Sequence, residues 1–574
     1  MNTAKEEKYV IFTQKNIYWA VILIICVFII CLPLLSVKAY LADDIYFHLS
    51  RIEGIKEGLC AGQFPVRVHA YQFNGYGYLC GVFYPDIFLY IPAGLCLLGV
   101  PLNLSYNILC ILLQLLTAFF SWYAFSLVTN RNVGALASVL YLSFWYHLFD
   151  IYRRAALGEV IAMAFLPLAI VSLIYLFFKD HTKWPLTVLA VSGVLQAHIL
   201  SGICLIFICG GIFLYSLANK YSKARKISIC KAILFLVAVN SWYYVPFLYY
   251  YTSVDFIMKS SFHSIEAAGV PLRRLFYLLV SFGIPSLVYI LIFIREYLKR
   301  RKFISRADRF IINGLICSAC LLIFASTNKF PWHLFEKIPV VSLFVTALQF
   351  PWRLQEFAAI VIALLGGVGL VWFARKFKHQ ELLLGAVSII ICAFSIFCIY
   401  HPQQFLRAGD IAKTGAPKIW EAIKFEEIQL QPYGDLPGRK IAPDYLYKDM
   451  NLDVLKEEGI LKSAYADIGT INMHKTGTTV KVSYNLSNPH TIKVPLIYYA
   501  GYKASDDKGN PVTITAGKNH IMDISLPKGS GEIKIWFQGL WYFQFFDILS
   551  LLSLILLLGI IIKKTNIRLI RGSL

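Results

Sequence analysis

The chain is 574 residues long, 58% hydrophobic and only 15% charged, with a mean hydropathy of +0.62. Soluble proteins carry about 25% charged residues, so this composition excludes a water-soluble protein and indicates an integral membrane protein. The net charge of +21 is not a nucleic-acid footprint, because residues 400–540 hold 17 Lys and Arg against 15 Asp and Glu, which leaves the excess in the apolar part and its short loops.

Apolar stretches at 17–36, 103–128, 133–149, 160–178, 184–199, 201–217, 231–250, 272–294, 309–326, 355–374, 381–400 and 543–562 predict about twelve transmembrane helices. The first is longer than a signal-peptide core and no small-residue cleavage site follows it cleanly, so it reads as a retained helix. Segment 84–100 is apolar but broken by Pro85 and Pro92, and predicts a re-entrant or interfacial helix. Basic clusters follow helices six, eight, ten and twelve: Lys220 to Lys226, Arg295 to Arg306, Arg375 to Lys378, and Lys563 to Arg571. With twelve spans they all fall on the side of the N-terminus, which predicts cytoplasmic termini. The same count puts 37–102, 150–159, 251–271, 327–354 and 401–540 outside. Nucleotide sugars are absent there, so an activated substrate would have to be lipid-borne.

The chain thus divides into a membrane module at 1–400 with a large first external loop at 37–102, an external β-rich domain at 401–540, and a final helix with a basic tail at 541–574. Within 401–540, helical patterns near 419–429 and 450–463 give way to strand-like alternation in TTVKVSYNLS and GEIKIWF, as in a small β-sandwich. No internal repeat is visible, which weighs against a transporter built from duplicated halves. All 13 cysteines lie between Cys26 and Cys398 without metal-site spacing. Cys60 and Cys80 share the first loop, where the plainer reading is two unpaired residues.

The polar residues of interest lie on the external segments. LADDIYFHLSRIEGI places Asp44, His48 and Arg51 at i, i+4 and i+7, one face of a helix, where a carboxylate, an imidazole and a guanidinium suit activation of a hydroxyl and binding of a phosphate. A solvated amphipathic helix end gives the same spacing. GQFPVRVHAYQFNGYGYLCGVFYPD is rich in glycine and aromatic residues, which suits sugar stacking or interfacial anchoring. DIYRRAALGEV brings Arg153, Arg154 and Glu159 to the mouth of the fourth helix, either as a lipid-phosphate site or as an ion pair that locks helix ends. His198, in LQAHILSG, sits at the outer end of helix five, where a lone histidine is more often a satisfied structural residue than a ligand. In FPWHLFEKIPVVSLFVTALQFPWRLQEF, Gln349, Trp352 and Arg353 stand just before helix ten, and Arg353 suits phosphate because guanidinium pairs bidentately with its oxygens.

Taken together, DDIYFHLSRIEGI, GQFPVRV, NGYGY, VFYPD, YRRAALGE, AHILSG, SWYYVPFL and LQFPWRLQEF are similar to the bacterial membrane proteins labelled 6-pyruvoyl-tetrahydropterin synthase-related. These are relatives of the YfhO-like proteins in the GT-C glycosyltransferase superfamily. Nothing in the residues supports pterin chemistry. The resemblance implies a polytopic α-helical, GT-C-like membrane protein with a small extracytoplasmic, mainly-β domain, in a bacterial plasma membrane. It implies an extracytoplasmic glycosyltransferase with a polyprenyl-phosphate-linked sugar donor and a cell-envelope polymer, glycolipid or protein as acceptor. An acidic residue of the first external loop is then the catalytic base or metal-assisted activator, which points to Asp44, with Asp43 as neighbour and competitor. Arg153, Arg154, Arg353 and His48 become donor-phosphate ligands, and Arg51, Glu159, His198, Gln349 and Trp352 further site residues. Some relatives use a divalent metal ion and some do not. Asp43 and Asp44 are the adjacent carboxylates that would hold one here, and metal use stays open. The competing readings are a flippase or transporter of lipid-linked saccharides and a non-catalytic scaffold for envelope assembly.

Overall fold

A computed structural model describes residues 14–36, 39–40, 42–217, 220–260, 265, 268–272, 284–400, 425–426, 442–456 and 469–572. Among these, eight helices are long and apolar enough to cross a membrane: Leu102–Val128, Leu157–Phe178, Ile199–Ser216, Lys223–Ser253, Arg306–Ala325, Pro351–Ala374, Gln380–Ile399 and Trp541–Lys563. The other four predicted stretches also carry helices, but shorter ones: Gln14–Ile30, Arg131–Leu142, Trp184–Leu195 and Ile284–Arg300. A 12-residue helix rises about 18 Å, short of a hydrocarbon core of about 30 Å. The cause is visible in two of them. The 133–149 stretch breaks at Ser143 and Phe144 and resumes as Trp145–Phe149, and the 184–199 stretch ends at Leu195 because His198 already caps the next helix. Residues 273–283 of the eighth stretch lie outside the described residues.

Leu157–Phe178 is the most enclosed span. It packs against Leu102–Val128 and Trp184–Leu195, and its apolar residues are buried on every side, as expected of a helix hydrophobic all round. The 84–100 segment forms two short pieces, Ile87–Leu89 and Tyr90–Leu97, the second packed on Leu102–Val128 and on the helix Ile45–Cys60 of the first loop.

Two short strands, β1 (Ala39–Tyr40) and β2 (Phe425–Glu426), pair antiparallel. β2 falls inside the 419–429 stretch for which a helix was expected, so its two described residues correct that expectation, pairing with β1 overriding local propensity. The rest of 419–429 lies outside the described residues. Of the 450–463 pattern, Leu452–Lys456 is a 3-10 turn and 457–463 lies outside them.

Seven strands build the C-terminal β unit: β3 (Gly469–Thr476), β4 (Thr479–Leu486), β5 (His490–Ile497), β6 (Tyr502–Asp506), β7 (Ile514–Ala516), β8 (Ile521–Leu526) and β9 (Gly529–Phe537). They form two antiparallel sheets, β3-β4-β9-β6 and β5-β8-β7. The two strands legible by alternation are neighbours, with Val480 opposite Ile535 and Val482 opposite Ile533. Those four side chains are buried with Ile492, Val494 and Ile524 of the other sheet, so the inward positions of both sheets share one core.

That core continues into the first loop through Tyr78 and Phe83, and into the end of Lys223–Ser253 through Tyr250. The NGYGY motif lies at this junction. Phe73, Asn74, Gly75 and Gly77 all take positive φ, and Lys475 of β3 donates to the carbonyls of Ala70, at 2.7 Å, and of Gly75. Asn74 donates to Leu455 O at 2.6 Å, and Tyr78 stacks on Tyr445. The glycine- and tyrosine-rich loop is therefore a socket for the β unit. Lys475→Ala removes the ammonium that satisfies two loop carbonyls, at about 1–3 kcal/mol per group left unpaired. It is expected to speed amide exchange across 70–77 while leaving the transmembrane helices protected, as hydrogen exchange would read.

Gly81 marks the closest approach in this region. A Cβ there would sit 2.2 Å from Val66 O, a backbone atom. Gly81→Ala is expected to cost about 1–3 kcal/mol, as overpacking does, which thermal unfolding in detergent would register. Cys60 is exposed, Cys80 is buried, and both are unpaired.

Candidate active site

Asp44 stands at the N-cap position of Ile45–Cys60, where a carboxylate would ordinarily accept from the first-turn amides, yet its side chain makes no capping bond. Its backbone is held instead. The Asp43 and Asp44 amides donate to Arg153 O at 3.3 Å and Arg154 O at 2.8 Å, which pins the pair of aspartates to the turn before Leu157–Phe178. That turn, Asp150–Arg154, is π-helical and closes through Ala155 in the left-handed region at φ 52°, a conformation of the kind that gathers at functional sites.

Burial pushes the Asp44 carboxyl up to about 6, with Asp43 and Glu159 adding to the shift and Arg154 and Arg353 opposing it. Asp44 therefore lies within electrostatic reach of two arginines 199 positions apart in sequence. Asp43 is exposed.

Beneath Asp44 is a buried ionic network centred on Glu159. Arg154 meets Glu159 with both terminal nitrogens, at 3.1 Å each, and Asp150 at 2.7 Å. Arg353 Nε donates to Glu159 Oε1 at 3.0 Å, and the Tyr146 hydroxyl donates to Oε2 at 2.7 Å. Arg353 is aimed by the turn before it, donating through Nη1 to Leu348 O at 2.9 Å and to Gln349 Oε1 at 3.1 Å. Gln349 itself adopts φ 55°, and Trp352 stacks face to face on Phe350 with centroids 4.4 Å apart. Arg153 has no ion-pair or hydrogen-bond partner for its side chain among the described residues, although its Nε is buried.

The remaining expected residues have other engagements. His48 and Arg51 do share a helix face and their side chains contact each other at 3.0 Å, while the bond from His48 to Asp44 is the backbone one, His48 N donating to Asp44 O at 3.2 Å. Arg51 pairs with Asp86, donates to Pro85 O at 2.8 Å, and lies 4.0 Å above the Tyr84 ring. His198 caps Ile199–Ser216, its Nδ1 lying 2.9 Å from Ser201 Oγ, and that hydroxyl donates to Glu356 at 3.0 Å. Glu356, Asp150, Tyr146 and Asp86 were not singled out from sequence. Glu356 and Asp150 carried a usable signal, since an acid within or beside an apolar span must be paired.

A divalent ion would need several oxygen ligands converging on one point. Among the described residues no group of three or more His, Cys, Asp and Glu offers that, and the charged neighbours of Asp44 include, beside Asp43 and Glu159, the guanidinium groups of Arg154 and Arg353, which repel a cation. The residues present do not fit a resident metal, and no step is routed through one. They suit acid–base chemistry instead, because a carboxylate of raised basicity beside a cluster of arginines can deprotonate a hydroxyl next to an anion.

No curated protein matches the sequence. Among solved structures, the arabinofuranosyltransferase AftD from Mycobacteria is similar at 12% identity and a TM-score of 0.37, over 71% of this chain and 29% of that one. The chain thus spans less than a third of AftD. ArnT from Cupriavidus metallidurans, solved bound to undecaprenyl phosphate, is similar at 11% identity and a TM-score of 0.37, over 70% of this chain and 74% of that one. The family model described as "6-pyruvoyl-tetrahydropterin synthase related domain; membrane protein" matches residues 82–403, more than half of the sequence, and the chain belongs to that family.

Proposed function

We propose that this membrane protein is a glycosyltransferase that moves a sugar from a polyprenyl-phosphate donor to a cell-envelope acceptor on the extracytoplasmic face. The observation that carries the reading is Asp44: an uncommitted, half-buried carboxyl of raised basicity, held by backbone bonds beside Arg153 and Arg154 and within reach of Arg353. The GT-C resemblance of the motifs supports it, as does the positive-inside pattern, by which this end of the helices would face outward.

In the proposed reaction the acceptor hydroxyl loses its proton to Asp44 as its oxygen forms a bond to the anomeric carbon. The bond from that carbon to the phosphate oxygen breaks, and its electron pair leaves with the lipid phosphate. A phosphate leaving group needs no proton, so one base suffices and a single displacement inverts the anomeric configuration. Arg153 and the open edge of Arg353 are the groups that receive the phosphate charge, because Arg154 is already engaged by two carboxylates.

The test follows a radiolabelled sugar supplied on polyprenyl phosphate to membranes holding the protein at matched levels. Wild type is expected to move label from lipid-extractable to envelope-bound material, while Asp44→Asn leaves it in the lipid fraction. Equal movement in both would sink the assignment of the base, and no movement in wild type would sink the transferase reading.

A further inference from the structure

We propose that Glu159 is a built-in counter-ion of the anion site, a positioning residue that occupies Arg154 and Arg353 at rest so that a phosphate group enters in competition with it. The identity of the natural ligand rests on the transferase reading above, while the electrostatic claim rests on the geometry.

The hydrogen-bond accounting leads to it. A carboxylate has about four acceptor sites, and those of Glu159 are all taken: Oε1 by Arg154 Nη2 at 3.1 Å and Arg353 Nε at 3.0 Å, Oε2 by Arg154 Nη1 at 3.1 Å and the Tyr146 hydroxyl at 2.7 Å. Asp150 holds Arg154 from its other side at 2.7 Å. The donors left over at this site include groups on two arginines. Arg353 Nη2 has no partner, its Nε and Nη1 being engaged, and the Arg153 guanidinium has none. An incoming phosphate therefore meets Nη2 of Arg353 while Glu159 holds Nε of the same guanidinium, a fixed negative charge beside the one it brings.

Such a charge weakens binding of any anion, and it does so unequally. A sugar-carrying phosphodiester has one negative charge, whereas the phosphomonoester left after transfer has close to two at neutral pH, its second pKa being about 6. Glu159 therefore repels the product more than the donor. A site made only of arginines would hold its product most tightly; one carrying an internal carboxylate releases it.

The experiment uses the full-length protein in detergent micelles with two probes, undecaprenyl phosphate and inorganic phosphate. Glu159→Gln keeps the shape and removes the charge, and is expected to tighten both anions by about tenfold or more while turnover falls; Glu159→Asp keeps the charge and is expected to stay within about threefold of wild type. Unchanged or weaker binding of both anions by Glu159→Gln, at a thermal midpoint equal to wild type, overturns the counter-ion. If undecaprenyl phosphate binds wild type and is weakened by Arg153→Gln but not tightened by Glu159→Gln, the donor reading stands and the counter-ion falls. If no form binds the lipid yet inorganic phosphate tightens with Glu159→Gln, the counter-ion stands and the donor reading falls. Should Glu159→Gln not fold, Glu159→Asp decides alone, since a loss of about tenfold with its charge retained overturns the proposal.

Discussion

Asparagine at position 44 is expected to lower the proposed transfer by about 10²–10⁴-fold, the usual contribution of a positioned general base. The pH dependence makes the claim specific. A base must be ionised, and with its carboxyl raised to about 6 Asp44 is mostly ionised at neutral pH. Wild-type rate is expected to be flat above pH 7 and to fall about tenfold per unit well below pH 6, whereas the residual rate of Asp44→Asn lacks that limb. Asp43→Asn removes a carboxylate that adds to the shift, so its limb should move to lower pH. Stability runs the other way. A carboxyl whose folded value lies above its unfolded value contributes stability at low pH that is lost as pH rises through about 6, so at pH 7 the ionised Asp44 destabilises the fold. Asp44→Asn should melt no lower than wild type, and a loss of activity accompanied by a lower midpoint would count against the base assignment.

How far the sequence leads can be judged at these same residues. Long apolar runs declare themselves, which is why Leu157–Phe178 and Leu102–Val128 lie close to the expected spans, and alternation placed β4 and β9 because the period of two is local. The broken helices at 131–142 and 184–195 were harder, since their ends are set by Ser143 and by the His198 cap rather than by hydropathy. In the candidate site, Arg154 and Glu159 are five positions apart and could be read together, but the same carboxylate also binds Arg353, 194 positions away. No local pattern reports that. NGYGY had the composition of a ligand-binding loop, and it packs as a socket instead. Glycines in left-handed turns and tyrosines under a neighbouring sheet use the residue types that sugar recognition uses, so composition alone does not separate the two. Asp86 escaped notice for a related reason, since its partner Arg51 was assigned to the face of Asp44.

The largest effect on stability is expected at that pair. Arg51 and Asp86 are 1% and 2% exposed, so Asp86→Ala strands a guanidinium in the interior, an error that costs about 3–5 kcal/mol. The cost should not be read as the worth of the pair, because removing both charges together, as in Arg51→Met with Asp86→Leu, is expected to recover much of it. Burial pushes the Asp86 carboxyl up, but Arg51 and His69 outweigh it and hold the group below the usual carboxylate range. A depressed carboxyl contributes stability that is present above its unfolded value of about 4 and is lost as pH falls through the folded one. Wild type should therefore lose stability steeply in acid, and Asp86→Ala should lack that part of the slope. The consequence reaches the chemistry through Ile45–Cys60. Arg51 binds that helix to the Pro85–Asp86 turn, and Asp44 is its N-cap residue, so loosening the pair frees the proposed base from its place beside the arginines. Transfer by Asp86→Ala should fail at temperatures where most of the chain is still folded, and thermal unfolding in detergent set beside the temperature dependence of transfer would read both. A stability within about 1 kcal/mol of wild type would mean that water reaches Arg51 and that the other contacts of the first loop suffice to hold it.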